Sequence, residues 1–266
     1  MLMKNVDEIT ALITASKKYS GLSADLIARI CDQEYPKYKK EKDLIKAIRK
    51  EIHIIHGSYL REDSIPSSRQ LFDRWQPEDG SILELAANLL QLHASTRERF
   101  PELKEFYANL TGFIREEDTM LDLGCGLNPC ALFWFPVRPA KYFAYDINYA
   151  TAELLNLFFL KSDQTAYHAS VVDLIQTNPD AEADIVLMLK LIPVLEQQKK
   201  GRAFELLSEL KASRFVVSFP TVSLTGKRKG MGKFYSEFFQ DKLPPEFSIV
   251  HSFQTSNELV FLLKKG

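Results

Sequence analysis

The chain of 266 residues is long enough for one large domain and a smaller companion, and its 45% hydrophobic and 26% charged residues are an ordinary globular mix. The formal net charge of −1 argues against a general polyanion binder, and no window nears the roughly 18 consecutive apolar residues of a membrane span. The start MLMKNVDEIT lacks the basic-then-apolar pattern of a signal peptide, and Cys31, Cys125 and Cys130 are too few and irregular for a disulfide framework or a zinc site. No metal is expected, and a cytoplasmic monomer is the default.

In chain order, residues 6–15, 24–31, 43–56 and 82–92 carry apolar side chains at helical spacing. Pro36, Gly57, Pro66 and the stretch 75–80 punctuate these helices. From Lys17 to Lys50 there are ten Lys/Arg against five Asp/Glu, with Lys37, Lys39, Lys40 and Lys42 crowded together. One isolated basic run is ordinarily a solvated helix face. From about residue 111 the texture changes. Strands are predicted at 120–123, 141–145, 166–169, 184–189 and 214–219, with helices at 149–161 and 193–211 and a short one near 130–135. A glycine-flanked basic knot, Lys227-Arg228-Lys229, follows the fifth strand. Strands at about 247–253 and 257–263, joined by a tight turn around Ser256-Asn257, predict a closing antiparallel hairpin.

The first strand runs into Leu123-Gly124-Cys125-Gly126, and the second ends on Asp146. A glycine turn followed by an acid-ended strand is how Rossmann-like sheets hold a nucleoside, the acid accepting from ribose hydroxyls. The third glycine that would cradle a pyrophosphate is missing, which suits S-adenosylmethionine. Asp173, after the third strand, is placed for the adenine amine, although aspartates in such loops also serve as caps. The fourth strand ends in Leu189-Lys190-Leu191 where amine methyltransferases carry an Asn/Asp-Pro-Pro-aromatic signature. Lys190 is therefore a candidate for positioning rather than for proton transfer. Five parallel strands and a terminal hairpin predict a seven-stranded class I S-adenosylmethionine-dependent methyltransferase domain over 111–266, preceded by a helical domain over 1–110.

Three segments narrow the class: His93-Ala94-Ser95-Thr96-Arg97-Glu98-Arg99, Gly124-Cys125-Gly126-Leu127-Asn128-Pro129, and Ser218-Phe219-Pro220-Thr221 with Gly226-Lys227-Arg228-Lys229-Gly230-Met231. Together they resemble the aminoglycoside-resistance 16S rRNA methyltransferases that act on N7 of guanine-1405, over essentially the whole chain. The resemblance implies cofactor contacts from Tyr59, His93, Ser95, Thr96 and either Arg97 or Arg99, the arginine holding the methionine carboxylate. Gly124, Gly126, Asn128, Pro129, Asp146, Ile147, Asp173, Leu174 and Leu189 complete the candidate cofactor set. Lys17, Lys18, Lys37, Lys39, Lys40 and Lys42 are implied to grip the 30S subunit, with Lys227, Arg228, Lys229 and Met231 against the rRNA beside the target base. Val222 stands where relatives carry an arginine, which puts one RNA contact in doubt. A helical rRNA base must leave its stack to reach a methyl donor, and Phe219 or Phe106 is the candidate platform for it. Guanine N7 bears an in-plane lone pair, so no general base is expected. The competing readings are methylation of N1 of adenine-1408, a small-molecule methyltransferase, and a ribosome-assembly factor that binds the cofactor without catalysis.

Overall fold

A computed structural model describes residues 4–19, 21–57, 64–75, 81–222 and 231–266. Strands β1 (Thr119–Leu123), β2 (Lys141–Asp146), β3 (Tyr167–Val171), β4 (Ile185–Leu189), β5 (Arg214–Pro220), β6 (Phe247–Gln254) and β7 (Glu258–Lys265) form one sheet in the order β3-β2-β1-β4-β5-β7-β6. The first five strands are parallel, and β7 pairs antiparallel with both β5 and β6. This is the predicted Rossmann-like arrangement.

The central strands are apolar on both faces because both faces are covered. Met120, Ile185, Leu187 and Val216 belong to one hydrophobic cluster; Leu121, Val186, Met188 and Val217 belong to the other. Neighbouring residues fall into opposite clusters, as the two-residue period of a strand demands. The first cluster is covered by α5 (Ile82–Leu90), α7 (Leu103–Ala108) and α8 (Tyr149–Lys161). Helices α9 (Ile192–Gln198), α10 (Arg202–Glu209) and α11 (Met231–Lys242) cover the second. Helices α1 (Val6–Thr14), α2 (Ala24–Glu34) and α3 (Glu41–Ile52) bury a third cluster of their own, built from Ile9, Leu26, Ile30, Leu44 and Ile48.

This N-terminal unit is stitched to the loop after β2 by backbone. Ser23 N–H donates to Ile147 O at 3.0 Å and Tyr149 N–H to Gly21 O at 2.7 Å. Ile147 also packs against the α1–α3 core.

Two local expectations are corrected and a third is refined. The helix expected over 193–211 is two helices, α9 and α10, separated at Gly201, whose φ of +84° an L side chain rarely adopts. The Glu196 carboxylate accepts from Gly201 N–H (2.9 Å) and Ala203 N–H (3.0 Å), capping the second helix from within the first. Pro66 does not break a helix but lies in the first turn of α4 (Ser64–Arg74), where a missing N–H costs nothing. The short element near 130–135 is a 3-10 helix, Asn128–Trp134, with Pro129 in its first turn. Helices α4, α6 (Ala94–Arg99), α7 and α11 were not anticipated by the periodicity.

Candidate cofactor cleft

The carboxyl ends of β1 to β4 open onto a cleft of about 880 Å³, solvent at its mouth included. This lies within the usual range for a small-molecule site, at the position where ligands of open α/β sheets bind. Its floor is the glycine turn after β1. Gly124 and Gly126 have φ of +62° and +50°. A Cβ on Gly126 would lie 2.8 Å from Cε1 of His93, and one on Gly124 would lie 2.7 Å from Cδ1 of Leu191. The first and second segments of the motif set thus need each other: His93 occupies the space that glycine vacates. Gly126 does not itself line the cleft, and neither does Pro129.

Asp146 closes the turn. Its Oδ2 accepts from Gly126 N–H at 2.9 Å and its Oδ1 from Asn148 N–H at 3.0 Å, while the half-buried carboxylate faces the cleft. Asp173 lines the same space but is held by Arg29 of α2, Nε to Oδ2 at 2.7 Å, and accepts from Ile175 N–H at 3.1 Å. Capping and cleft-lining are thus joined in both aspartates. Ile147, Leu174 and Leu189 supply apolar wall, as do Ile55, Val172 and Leu195, which sequence reasoning missed.

Below the opposite end lies a buried polar cluster. Arg99, 2% exposed, donates from Nε and Nη2 to both oxygens of Glu258 (2.8 and 3.0 Å) and from Nη1 to Asn128 Oδ1 (2.7 Å). Arg99 lines the cleft; Arg97 is exposed, outside it, and donates to Gln91 O at 3.4 Å. Of the two arginines, only Arg99 is in reach of a ligand there. Ser95, Thr96 and His93 also line the cleft, with the Thr96 hydroxyl donating to Leu90 O at 2.6 Å.

Lys190, at the end of β4, has a φ of +57° and its Nζ lies 2.8 Å from Glu98 and 3.6 Å from Glu258. Burial pushes the Glu258 carboxyl up, but the charges of Arg99 and Lys190 and the bonds from Arg99 and Ser218 outweigh it and hold the group below the ordinary carboxylate range. Asp122 behaves oppositely. Burial pushes it up to about 6, against bonds from Tyr142 (2.6 Å) and Asn128 (2.8 Å). Cys125 also lines the cleft, and burial pushes its thiol well up, so no thiolate nucleophile is offered there.

Two expectations fail. Phe219 and Phe106 are fully buried: Phe219 stacks on Tyr235 of α11 inside the core, and Phe106 lies under the Arg99 guanidinium. Neither is available to a flipped base. Tyr59, Lys227, Arg228 and Lys229 lie outside the described residues. Met231 opens α11, half-buried, and Lys17, Lys18, Lys37, Lys39, Lys40 and Lys42 are exposed. Among the described residues no group of side chains is arranged to hold a metal, and no helix is long and apolar enough to cross a membrane.

A ribosomal RNA methyltransferase family, FmrO, matches residues 15–262. The chain belongs to this family. It is 33% identical over 98% of its length to a 16S rRNA (guanine(1405)-N(7))-methyltransferase of Serratia marcescens, 99% of which is covered. It is 28% identical, again over 98% of its length, to the protein of the same description from Micromonospora rosea, with 97% of that protein covered. The crystal structure of the 16S rRNA methyltransferase RmtF in complex with S-adenosyl-L-homocysteine superposes with a TM-score of 0.90 at 35% identity, covering 100% of both chains. An rRNA methylase from Escherichia coli superposes at 0.84, with 30% identity over 98% of this chain and 100% of the other. The family's fold and cofactor class agree with an open cleft at this sheet edge.

Two outcomes are expected. Asp146→Ala removes the acceptor for both Gly126 and Asn148, and titration with S-adenosylhomocysteine should show about tenfold or greater weakening with the fold retained. The second concerns pH. Because Asp122 holds its proton more tightly in the folded chain, its contribution is fully present below its unfolded pKa, near 4, and is lost as pH rises through about 6. The melting temperature of Asp122→Asn, relative to the parent, should therefore climb between about pH 4 and pH 6 and level off above. A flat difference would show that Asp122 stays ionised.

Proposed function

We propose that the chain transfers a methyl group from S-adenosylmethionine to N7 of guanine-1405 in 16S rRNA of the 30S subunit, and so protects ribosomes against 4,6-disubstituted deoxystreptamine aminoglycosides such as gentamicin. The observation that carries this reading is the end-to-end correspondence with proteins so described, in sequence and in fold, with an open cleft at the matching sheet edge. In this reading Asp146 receives the ribose hydroxyls, the Ile147, Leu174 and Leu189 wall receives the adenine, and Arg99 faces the methionine carboxylate. When bound, the cofactor supplies an electrophilic methyl group on a sulfonium.

The purine already has a lone pair at N7, so the protein has no proton to remove. Its task is placement and exclusion of water, which is worth about 7–11 kcal/mol when reacting atoms are held in line. Lys190 lines the cleft, is fixed by Glu98 and Glu258, and serves orientation of the incoming nucleotide. A cation there is poorly suited to stabilising a purine that gains positive charge.

The helical region 1–110 docks the monomeric, cytoplasmic enzyme on the subunit through its lysines, and 111–266 carries the chemistry. Helices α5 and α7 nevertheless share the hydrophobic cluster of the sheet, so the docking region is anchored in the catalytic core.

The direct test is labelled methyl transfer to isolated 30S subunits followed by mass mapping. Label at N7 of guanine-1405, with gentamicin resistance and retained apramycin sensitivity in an expressing bacterium, is expected; N1-methyladenosine at 1408 would refute the assignment. Reversing Lys39, Lys40 and Lys42 to Glu should weaken 30S binding by about tenfold or more at low salt, flatten its salt dependence, and leave S-adenosylhomocysteine affinity unchanged.

A further inference from the structure

One wall of the cleft comes from a part of the chain that the strand-end motifs do not include. Arg29 lies on α2 and is buried, although the lysines of the same unit face solvent. Its Nε donates to Asp173 Oδ2 at 2.7 Å and its Nη2 to Asp173 Oδ1 at 3.3 Å; Nη2 also donates to Gln198 Oε1 at 2.8 Å. Gln198, near the end of α9, is steadied by donating from Nε2 to Val194 O at 3.2 Å, and both Gln198 and Asp173 line the cleft. Asp173 further accepts from Ile175 N–H at 3.1 Å and from Gln176 Nε2 at 3.3 Å.

An ionised carboxylate offers about four lone-pair sites, and four protein donors already address this one. Asp173 is thus no free acceptor awaiting an adenine amine. Its plane is dictated by a guanidinium that crosses from another unit of the chain. Ile55, just after α3, reaches the same cleft, and the Gly21–Tyr149 and Ser23–Ile147 backbone bonds hold the unit in place.

We infer that Arg29 is a positioning residue of the cofactor site, acting through Asp173 and Gln198, and that the N-terminal helical unit is a wall of that site as well as a docking surface. This rests on the reading of the cleft as an S-adenosylmethionine site. The forked guanidinium locks the loop after β3 to the end of α9, so the nucleoside meets a wall already in its final shape and little ordering is left to be done on binding. A lysine at this position would keep the charge but not the two parallel bonds.

Calorimetric titration of the full-length protein with S-adenosylhomocysteine, without ribosomes, tests the inference. A parent protein that binds none overturns the cofactor reading itself, and this inference with it. Given parent binding, Arg29→Gln should bind about tenfold more weakly, the loss expected for a charge-assisted bond, with Arg29→Lys in between. The double variant Arg29→Gln/Asp173→Asn should bind no more weakly than Asp173→Asn alone, because the two residues act as one unit. If Arg29 is only a structural tie, Arg29→Gln will melt lower yet keep its affinity within about twofold, or the losses of the two substitutions will multiply; either result overturns the inference. Should Arg29→Gln fail to fold, Gln198→Ala decides: about threefold weaker binding at an unchanged melting temperature is expected, and unchanged affinity overturns the inference.

Discussion

Glu258 begins β7 with a carboxylate that is 1% exposed, and three separate stretches of chain meet on it. Arg99 of α6 clamps both its oxygens, the Ser218 hydroxyl of β5 donates at 2.7 Å, and Lys190 at the end of β4 stands 3.6 Å away. Removing such charges from water costs several kcal/mol each, and the arrangement survives only because its lone pairs are answered by cations and a hydroxyl. Losing one partner of a buried pair of this kind costs about 3–5 kcal/mol, chiefly because the other is left uncompensated. The elements pinned here are those that shape one end of the cleft. The geometry around the ligand therefore depends on a charge that no ligand needs to touch.

Asn128 extends this dependence to the glycine turn. Its Oδ1 accepts from Arg99 and from the Tyr107 hydroxyl, both at 2.7 Å, while its Nδ2 donates to Asp122 at 2.8 Å. The amide accepts on one side and donates on the other; aspartate would confront Asp122 with a second anion. The two buried acids of the cluster then part company for a plain reason. Glu258 faces two cations and stays charged, whereas Asp122 has two neutral donors, and its Oδ1 has no hydrogen-bond partner among the described residues.

Much of this fold is legible in the sequence because its strands are short apolar runs ended by glycine or acid, as at Leu123-Gly124 and Tyr145-Asp146. The terminal hairpin is equally plain from the tight Ser256-Asn257 link. Helices α6 and α7 escape because six residues are too few to show a period, and α10 is not told apart from α9 because only a short link at Gly201 separates them. The cleft's strand-end residues are likewise readable, since topology places them. What escapes is the residue that meets them from afar. Arg29 sits 144 positions from Asp173, and nothing local separates it from the solvated cations beside it. Its one signal is its place on the apolar face of α2, between Ile27 and Ile30, where a hydrated charge has no reason to be.

Among the described residues four of the five buried cations are guanidinium groups, and Lys190 is the fifth. Arg29, Arg99, Arg202 and Arg214 are buried, and each meets a carboxylate: Asp173, Glu258, Glu209 and Asp118 respectively. Lys17, Lys18, Lys39, Lys40 and Lys42 are exposed on the N-terminal unit. The planar guanidinium is weakly hydrated and matches a carboxylate with parallel bonds, so burying it is tolerable; an ammonium is a compact, strongly hydrated charge better left in water. A count of basic residues in the sequence therefore overstates the charge that this unit presents outward. Of the two arginines in that count, Arg49 is exposed and Arg29 is an internal tie. The lysines form an exposed cationic fringe suited to phosphate oxygens, which demand charge but little directional precision. The unit that carries this fringe is bolted by Arg29 to the edge of the cleft, so the placement of the unit and the shape of that wall are fixed together by covalent chain and paired charge.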